Sequence, residues 1–308
     1  MKAVILDSDS LGEGVDLSPI KNQVGELVCY PLTSPNQVDE RIQNADVVIT
    51  NKVVLNEASL KKAEKLKLVC VLATGMNNID LKAAEKLGIP VKNVEAYGTP
   101  SVVQHTLMMM LSLATKIPVM QKRMAAGDWQ KSPLFTLLDP PTFQLEGKRL
   151  VIVGSGELGQ AVKKQAEALG MRVSFSARPG KTDDSRPSFD ELLPEADVIS
   201  FHCPLTEETK GLLNSKNIKH CQPHTLVINN ARGGVANEHD VLDALRKGQI
   251  GGYATDVLPQ EPPKDGHPLL DALNEPLNLI VTPHNAWTSP EARQRIIELT
   301  ADNISALT

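Results

Sequence analysis

Short apolar runs recur along the whole chain, and segments with helical spacing lie between them. In the first part the runs are Ala3–Leu6, Val47–Thr50, Leu68–Leu72 and Val91–Val94. Ser59–Lys65 and Leu81–Leu87 carry helical periodicity among them, the latter stopped by Gly88 and Pro90. Strand-then-helix order repeated in this way leads to a parallel sheet covered by helices on both faces. A second series follows at Leu150–Val153, Arg172–Ser176, Val198–His202, Leu226–Asn229, Gly252–Thr255 and Leu279–Val281. Between the series runs a helical segment from about Ser101 to Ala126, which Pro118 should kink or break. An irregular stretch, Asp128–Glu146, comes next, and its length suits a functional or interface loop. The expected fold is α/β, with two doubly wound parallel-sheet domains, a number that 308 residues also favour.

Composition removes several classes of function. Aromatic residues are only 3% of the chain, too few for base-stacking platforms. The net charge is −5 with no long run of either sign, so nucleic acid and membrane surfaces are excluded as partners, while small anionic ligands stay open. No apolar run approaches the ~18 residues needed to span a bilayer. The start, Met1-Lys2-Ala3-Val4-Ile5-Leu6-Asp7, reads as a first strand rather than a signal peptide, and a cytoplasmic protein is expected. Cys29, Cys70, Cys203 and Cys221 form no CxxC pair and read as reduced structural residues. His202–Cys203 and His220–Cys221 fit no zinc spacing, so no metal is expected.

The strands of the second series end in Gly154, Arg178, His202, Asn230 with Arg232, Asp256 and His284. Ligands of open parallel sheets bind at the carboxyl ends of the strands, so these residues share one edge. Gly154-Ser155-Gly156-Glu157-Leu158-Gly159 is G-x-G-x-x-G directly after a strand and before a helix. Gly154 permits a tight turn, Gly156 lets backbone approach a pyrophosphate, and Gly159 lets the helix pack closely on the sheet. The helix that begins at Glu157 then turns its positive end toward the phosphates. Glu157 itself is awkward there, because a carboxylate repels phosphate unless it faces solvent.

Arg232 is either a surface arginine in a glycine turn or a planar fork for a substrate carboxylate. Glu261, before Pro262, is either solvated or the partner of a histidine. His284 is either structural or an acid, since a neighbouring carboxylate would supply a proton donor near neutral pH. Spacing leaves open whether Glu261 and His284 meet. His202-Cys203-Pro204 ends a strand where backbone could touch adenine or ribose, and His105 lies inside the long helix facing either a cleft or the core.

Together these segments resemble the D-isomer-specific 2-hydroxyacid dehydrogenase family, in its glycerate dehydrogenase/hydroxypyruvate reductase branch. The likeness covers nearly the whole chain. It is carried by Ala73–Asp80, Thr99–Thr106, the glycine fingerprint, His202–Thr206, Asn230-Ala231-Arg232-Gly233, Asp256-Val257 with Glu261-Pro262, and Thr282–Trp287. The resemblance implies a Rossmann cofactor domain, residues 100–288, inserted in a flavodoxin-like substrate domain, residues 1–99 plus 289–308. A hinged cleft that excludes water on closure would follow. Arg232 would bind a small 2-oxo acid, hydroxypyruvate above glyoxylate, and His284, held by Glu261, would protonate its carbonyl oxygen. Thr74 and Gly75 would cradle the carboxylate through their N–H groups, Trp287 would line the substrate pocket, and Asp256 with Asn230–Arg232 would border the nicotinamide. The rival is a non-catalytic NAD(P)-sensing protein of corepressor type on the same scaffold.

Two further expectations concern cofactor and assembly. An NAD-preferring domain carries Asp or Glu about 20 residues past the glycines to accept the ribose hydroxyls. Relatives have that acid where this chain has Ala177, and Arg178 follows it, so NADPH is expected to be preferred over NADH. Asp183 and Asp184 are expected in a surface loop, as poor substitutes for the acid. Relatives pair through the Ser101–Glu146 region, which implies a homodimer.

Overall fold

The computed structural model describes residues 1–307, which fall into two units, Met1–Gly98 with Trp287–Thr308 and Thr99–Ala286. These seams precede the expected ones by one and two residues. At the first, Thr99 opens a helix and its hydroxyl donates to Glu157, a residue of the second unit. At the second, Trp287 stands edge-on to Tyr97 with ring centroids 6.3 Å apart, so it belongs to the first unit.

The first unit holds β1 (Lys2–Ile5), β2 (Glu26–Cys29), β3 (Val47–Thr50), β4 (Leu68–Val71) and β5 (Val91–Lys92), all parallel, in the order β2-β1-β3-β4-β5. This is the flavodoxin-like winding. β3 and β4 are buried along their whole length, as strands covered on both faces must be. β2 was not among the expected strands. It is an edge strand with both ends exposed, although Leu27-Val28-Cys29-Tyr30 is an apolar run. The Pro290–Ser305 helix, capped by the Ser289 side chain on Ala292 N–H, sends Ile296, Ile297 and Ile304 into the apolar cluster of Ile5 and Ile49.

The second unit holds β6 (Arg149–Val153), β7 (Arg172–Phe175), β8 (Val198–Phe201), β9 (Leu226–Asn229), β10 (Gly252–Thr255) and β11 (Leu279–Val281), again all parallel, in the order β11-β10-β9-β8-β6-β7. That is the Rossmann order with no strand outside β7 and one more, β11, at the opposite edge. The winding reverses at β6, so the turns after β6 and β8 flank its switch point.

The long helical segment breaks as Pro118 requires. Thr99–Ala114 and Ile117–Ala125 are separate helices bent by 60°, with Lys116 left-handed between them. Asp128–Lys131 is a further helical turn, so the irregular stretch is shorter than expected. Among the described residues no single helix is long and apolar enough to cross a membrane. The apolar side of Thr99–Ala114 is instead consumed by the core, where Met109, Met110 and Leu113 pack with Leu150, Ile152 and Ile228.

Candidate active site

The glycine turn after β6 is built from contacts that only glycine allows. Gly154 has φ +109°, and a Cβ there would lie 2.3 Å from the His202 carbonyl oxygen. A Cβ on Gly159 would lie 2.0 Å from the Gly154 oxygen. The backbone around Gly156 is open, and no side chain caps the Glu157–Ala168 helix, so its first N–H groups are available to an anion. Glu157 is exposed and accepts the Thr99 hydroxyl at 2.7 Å, while Leu158 is half-buried beside it. Around this turn Ser176 Oγ, His202 Nδ1 and Asn230 Oδ1 are buried without a partner. Buried polar atoms need partners, and an anion-receptive helix end beside orphaned donors and acceptors fits a dinucleotide.

The neighbouring strand ends have definite roles. His202 Nε2 lies 2.8 Å from Ser200 Oγ, and burial pushes this imidazole down to about 4, so it is neutral. Cys203 is buried, and Pro204 offers its carbonyl to the Thr209 hydroxyl. After β7, Ala177 N–H donates to Pro187 O at 2.7 Å and the Arg178 side chain is exposed. Asp184 is no bystander in this loop. It folds back to accept Arg178 N–H at 2.8 Å and both the N–H and guanidinium of Arg186. The Arg186 guanidinium holds its carboxyl well below the usual range, and its charge is committed within the loop.

Glu261 and His284 do meet. His284 Nδ1 lies 2.6 Å from Glu261 Oε2, and the other oxygen of Glu261 accepts Leu258 N–H at 2.8 Å. Both side chains are about one-third exposed, at 31% and 33%. Among the described residues nothing engages His284 Nε2. His284 has φ +52°, a left-handed backbone that a β-carbon disfavours. Its N–H donates to the Asp256 carbonyl at 2.8 Å.

Asp256, expected to border the cofactor, is bonded within its own loop. Its carboxylate is 2% exposed and already accepts the Thr282 hydroxyl at 2.5 Å, Asn285 N–H at 3.0 Å and Ala286 N–H at 2.9 Å. It anchors the His284 loop.

Arg232 is exposed, bonds the Ala231 carbonyl at 2.7 Å, and has no ion pair among the described residues. Gly233 seats this turn directly on another. A Cβ there would fall 2.0 Å from the Leu258 carbonyl carbon, so only glycine lets the Arg232 turn abut the one carrying Glu261. Asn230 Nδ2 donates to Thr106 Oγ1 at 2.8 Å, tying the same loop to the Thr99–Ala114 helix.

Thr74, Gly75 and Trp287 lie in the first unit. The loop after β4 is fixed by the Thr74 hydroxyl on Val94 O at 3.2 Å and Asn93 Nδ2 on Thr74 O at 2.8 Å. The N–H groups of Thr74 and Gly75 have no acceptor among the described residues, a pairing of free donors that suits an anion. Trp287 is half-buried in its contact with Tyr97. Sequence reasoning gave no part to Thr282 or Thr106. Both lie in segments that carry the resemblance, but only their neighbours in space reveal what their hydroxyls do.

A sequence profile described as "D-isomer specific 2-hydroxyacid dehydrogenase, NAD binding domain" matches residues 107–286. The chain is 39% identical over 307 residues to the glycerate dehydrogenase of Methylorubrum extorquens, covering 99% of this chain and 95% of that one. It is 36% identical over 313 residues to the hydroxypyruvate reductase of Blautia hydrogenotrophica, covering 99% and 96%. Among solved structures, the TT0316 protein of Thermus thermophilus superposes with a TM-score of 0.80 at 28% identity, over 100% of this chain and 96% of that one.

The buried His202 makes stability depend on pH. An ordinary histidine titrates near 6.5, and this one only at about 4. As pH falls through that window the unfolded chain takes up a proton that the folded chain refuses, so stability present above pH 6.5 is lost, by up to roughly 3 kcal/mol. Urea midpoints at pH 7 and pH 4.5 should drop less in His202→Gln than in wild type; equal drops would contradict the assignment.

Proposed function

The chain belongs to the D-isomer-specific 2-hydroxyacid dehydrogenase family, and on that premise we propose that it reduces hydroxypyruvate, with glyoxylate as a second substrate, to the D-2-hydroxy acid. The observation that carries the reading is the 2.6 Å Glu261–His284 pair on a turn packed against that of an unpaired arginine, at the carboxyl edge of a dinucleotide-type sheet. The nicotinamide cofactor supplies the hydride when bound. Arg232 grips the substrate carboxylate with its planar fork and stabilises negative charge as it develops on the carbonyl oxygen. His284, with Nδ1 on Glu261, presents Nε2 to give that oxygen its proton. Glu261, itself held by Leu258 N–H, keeps the imidazole oriented for that transfer.

In this reading the second unit is the cofactor domain. The Gly154–Gly159 turn and the helix N-terminus hold the pyrophosphate, Ala177 and Arg178 meet the adenosine end, and His202–Pro204 with Asn230–Arg232 line the rest. The first unit is the substrate domain, with Thr74–Gly75 as its anion-binding loop. NADPH is the preferred cofactor. Ala177 places no charge to repel a 2′-phosphate, Arg186 neutralises Asp184, Arg178 is exposed, and Ser176 Oγ is buried without a partner. A second copy of the chain covers the apolar stretch after the bent helices, where Phe135 is 91% and Leu138 76% exposed.

His284→Ala should lower kcat by about 10²–10⁴ with hydroxypyruvate, the scale of a positioned acid. Arg232→Ala should raise KM as well as lower kcat, because the grip also acts in the ground state. Glu261→Gln should lower kcat, because the imidazole loses the carboxylate that orients it, and unchanged kinetics would remove Glu261 from the mechanism. Ala177→Asp should swing preference toward NADH, and Arg178→Ala should weaken NADPH use selectively; unchanged NADPH kinetics in Arg178→Ala would reverse the cofactor assignment. Sedimentation should give a dimer at micromolar concentration and a monomer for Phe135→Asp, whereas a wild-type monomer would refute the pairing.

A further inference from the structure

Two polar side chains of the Thr99–Ala114 helix reach the loop carrying His284: Ser101, whose hydroxyl donates to the Ala286 carbonyl at 2.7 Å, and His105. The helix is otherwise rich in Val, Leu and Met, with Val103, Thr106, Met109 and Met110 buried. An aliphatic side chain would satisfy the packing at position 105. Instead His105 Nε2 stands 3.0 Å from Thr282 Oγ1 and 3.6 Å from Asp256 Oδ1, with its side chain only 14% exposed.

The protons in this group have one consistent arrangement. The single hydroxyl proton of Thr282 goes to the Asp256 carboxylate at 2.5 Å. Thr282 Oγ1 can then only accept from His105, so Nε2 carries a proton. Burial lowers the His105 pKa more than the Asp256 charge raises it, so near neutrality the ring is the uncharged Nε2–H tautomer. Asp256 is the charged group facing this imidazole, as Glu261 is for His284.

Beyond Asp256 the bonds spread around His284 on every side. The carboxylate takes Asn285 N–H and Ala286 N–H, and the Asp256 carbonyl takes His284 N–H. Thr282, His284, Asn285 and Ala286 are thus all tied to one buried residue, and the left-handed backbone of His284 is held between them. The adjacent helix position, Thr106, ties down Asn230 on the neighbouring loop. One helical turn therefore sets the place of both strand-end loops.

We propose that His105 is a positioning residue for His284, acting through the Thr282 hydroxyl and the Asp256 carboxylate. Its catalytic meaning rests on the dehydrogenase reading; its geometry does not. His105 completes the donors around Asp256, Asp256 fixes the loop backbone, and the loop aims the imidazole at Glu261 on one side and at the substrate on the other. Losing the His105 donor loosens the aim while leaving every residue that touches substrate in place.

The test compares His105→Leu, His105→Gln, Thr282→Val and the double variant His105→Leu/Thr282→Val. Gln keeps an N–H donor at the reach of Nε2. With hydroxypyruvate and NADPH, the Leu and Val variants should lose about tenfold or more in kcat with cofactor KM within about twofold. Gln should restore most of the rate, and the double variant should be no slower than the worse single one, because both break one chain. In 15N-histidine-labelled protein without substrate or cofactor, the His284 Nδ1–H resonance should be protected from solvent in wild type and His105→Gln, and lost in His105→Leu. Wild-type kcat in His105→Leu, or an unchanged His284 resonance, would overturn the proposal. So would additive losses in the double variant. A wild type that turns over no 2-oxo acid would overturn the dehydrogenase reading instead, and the resonance test would still judge the role of His105.

Discussion

Every strand in the second unit runs the same way, and the central ones are buried along their whole length. Buried parallel strands satisfy their backbone only through neighbouring strands, and each return crossing needs a helix outside the sheet. The chain is therefore free to vary only where a strand ends and its helix has not begun. Gly154, Arg178, His202, Arg232, Asp256 and His284 all lie beyond the carboxyl ends of their strands, at the edge where the topology leaves the chain free to vary. The reversal of winding at β6 adds a crevice at that same edge.

Within this edge the costliest group is Asp256. A buried carboxylate is tolerated only when donors surround it, and here the donors are a hydroxyl and two backbone N–H groups of the segment that carries His284. The need to satisfy that charge specifies the path of the loop and holds the left-handed conformation of His284. Glu261 works under different conditions. One-third exposed, it is fixed by Leu258 N–H rather than by burial, and it keeps one oxygen for the imidazole. One carboxylate thus sets the backbone and the other sets the ring.

The far end of the edge follows the same logic with charges reversed. The loop after β7 brings Asp184 back to the strand end, where an acid would favour a free ribose, but Arg186 occupies that acid from two sides. What remains outward is the exposed Arg178. The local sum of charge, rather than the presence of an aspartate nearby, bears on which cofactor is accepted.

Much of this was legible in the order of residues. The apolar runs located ten of the eleven strands, the glycine fingerprint fell on the switch-point turn, and Pro118 marked the helix break. β2 was passed over although Leu27-Val28-Cys29-Tyr30 is apolar; it is an edge strand exposed at both ends. Local sequence also placed Arg232, Glu261 and His284 beyond strand ends, because a strand announces its own end through the residues that stop it. It could not say that Glu261 and His284 touch, that Asp256 is turned inward, that Asp184 is neutralised, or that His105 reaches Thr282. Apart from Asp184 and Arg186, two positions apart, those pairings join residues distant in the chain, 177 positions in the last case. Hydrogen bonds at that separation depend on strand register and helix rotation, which only the packed core decides.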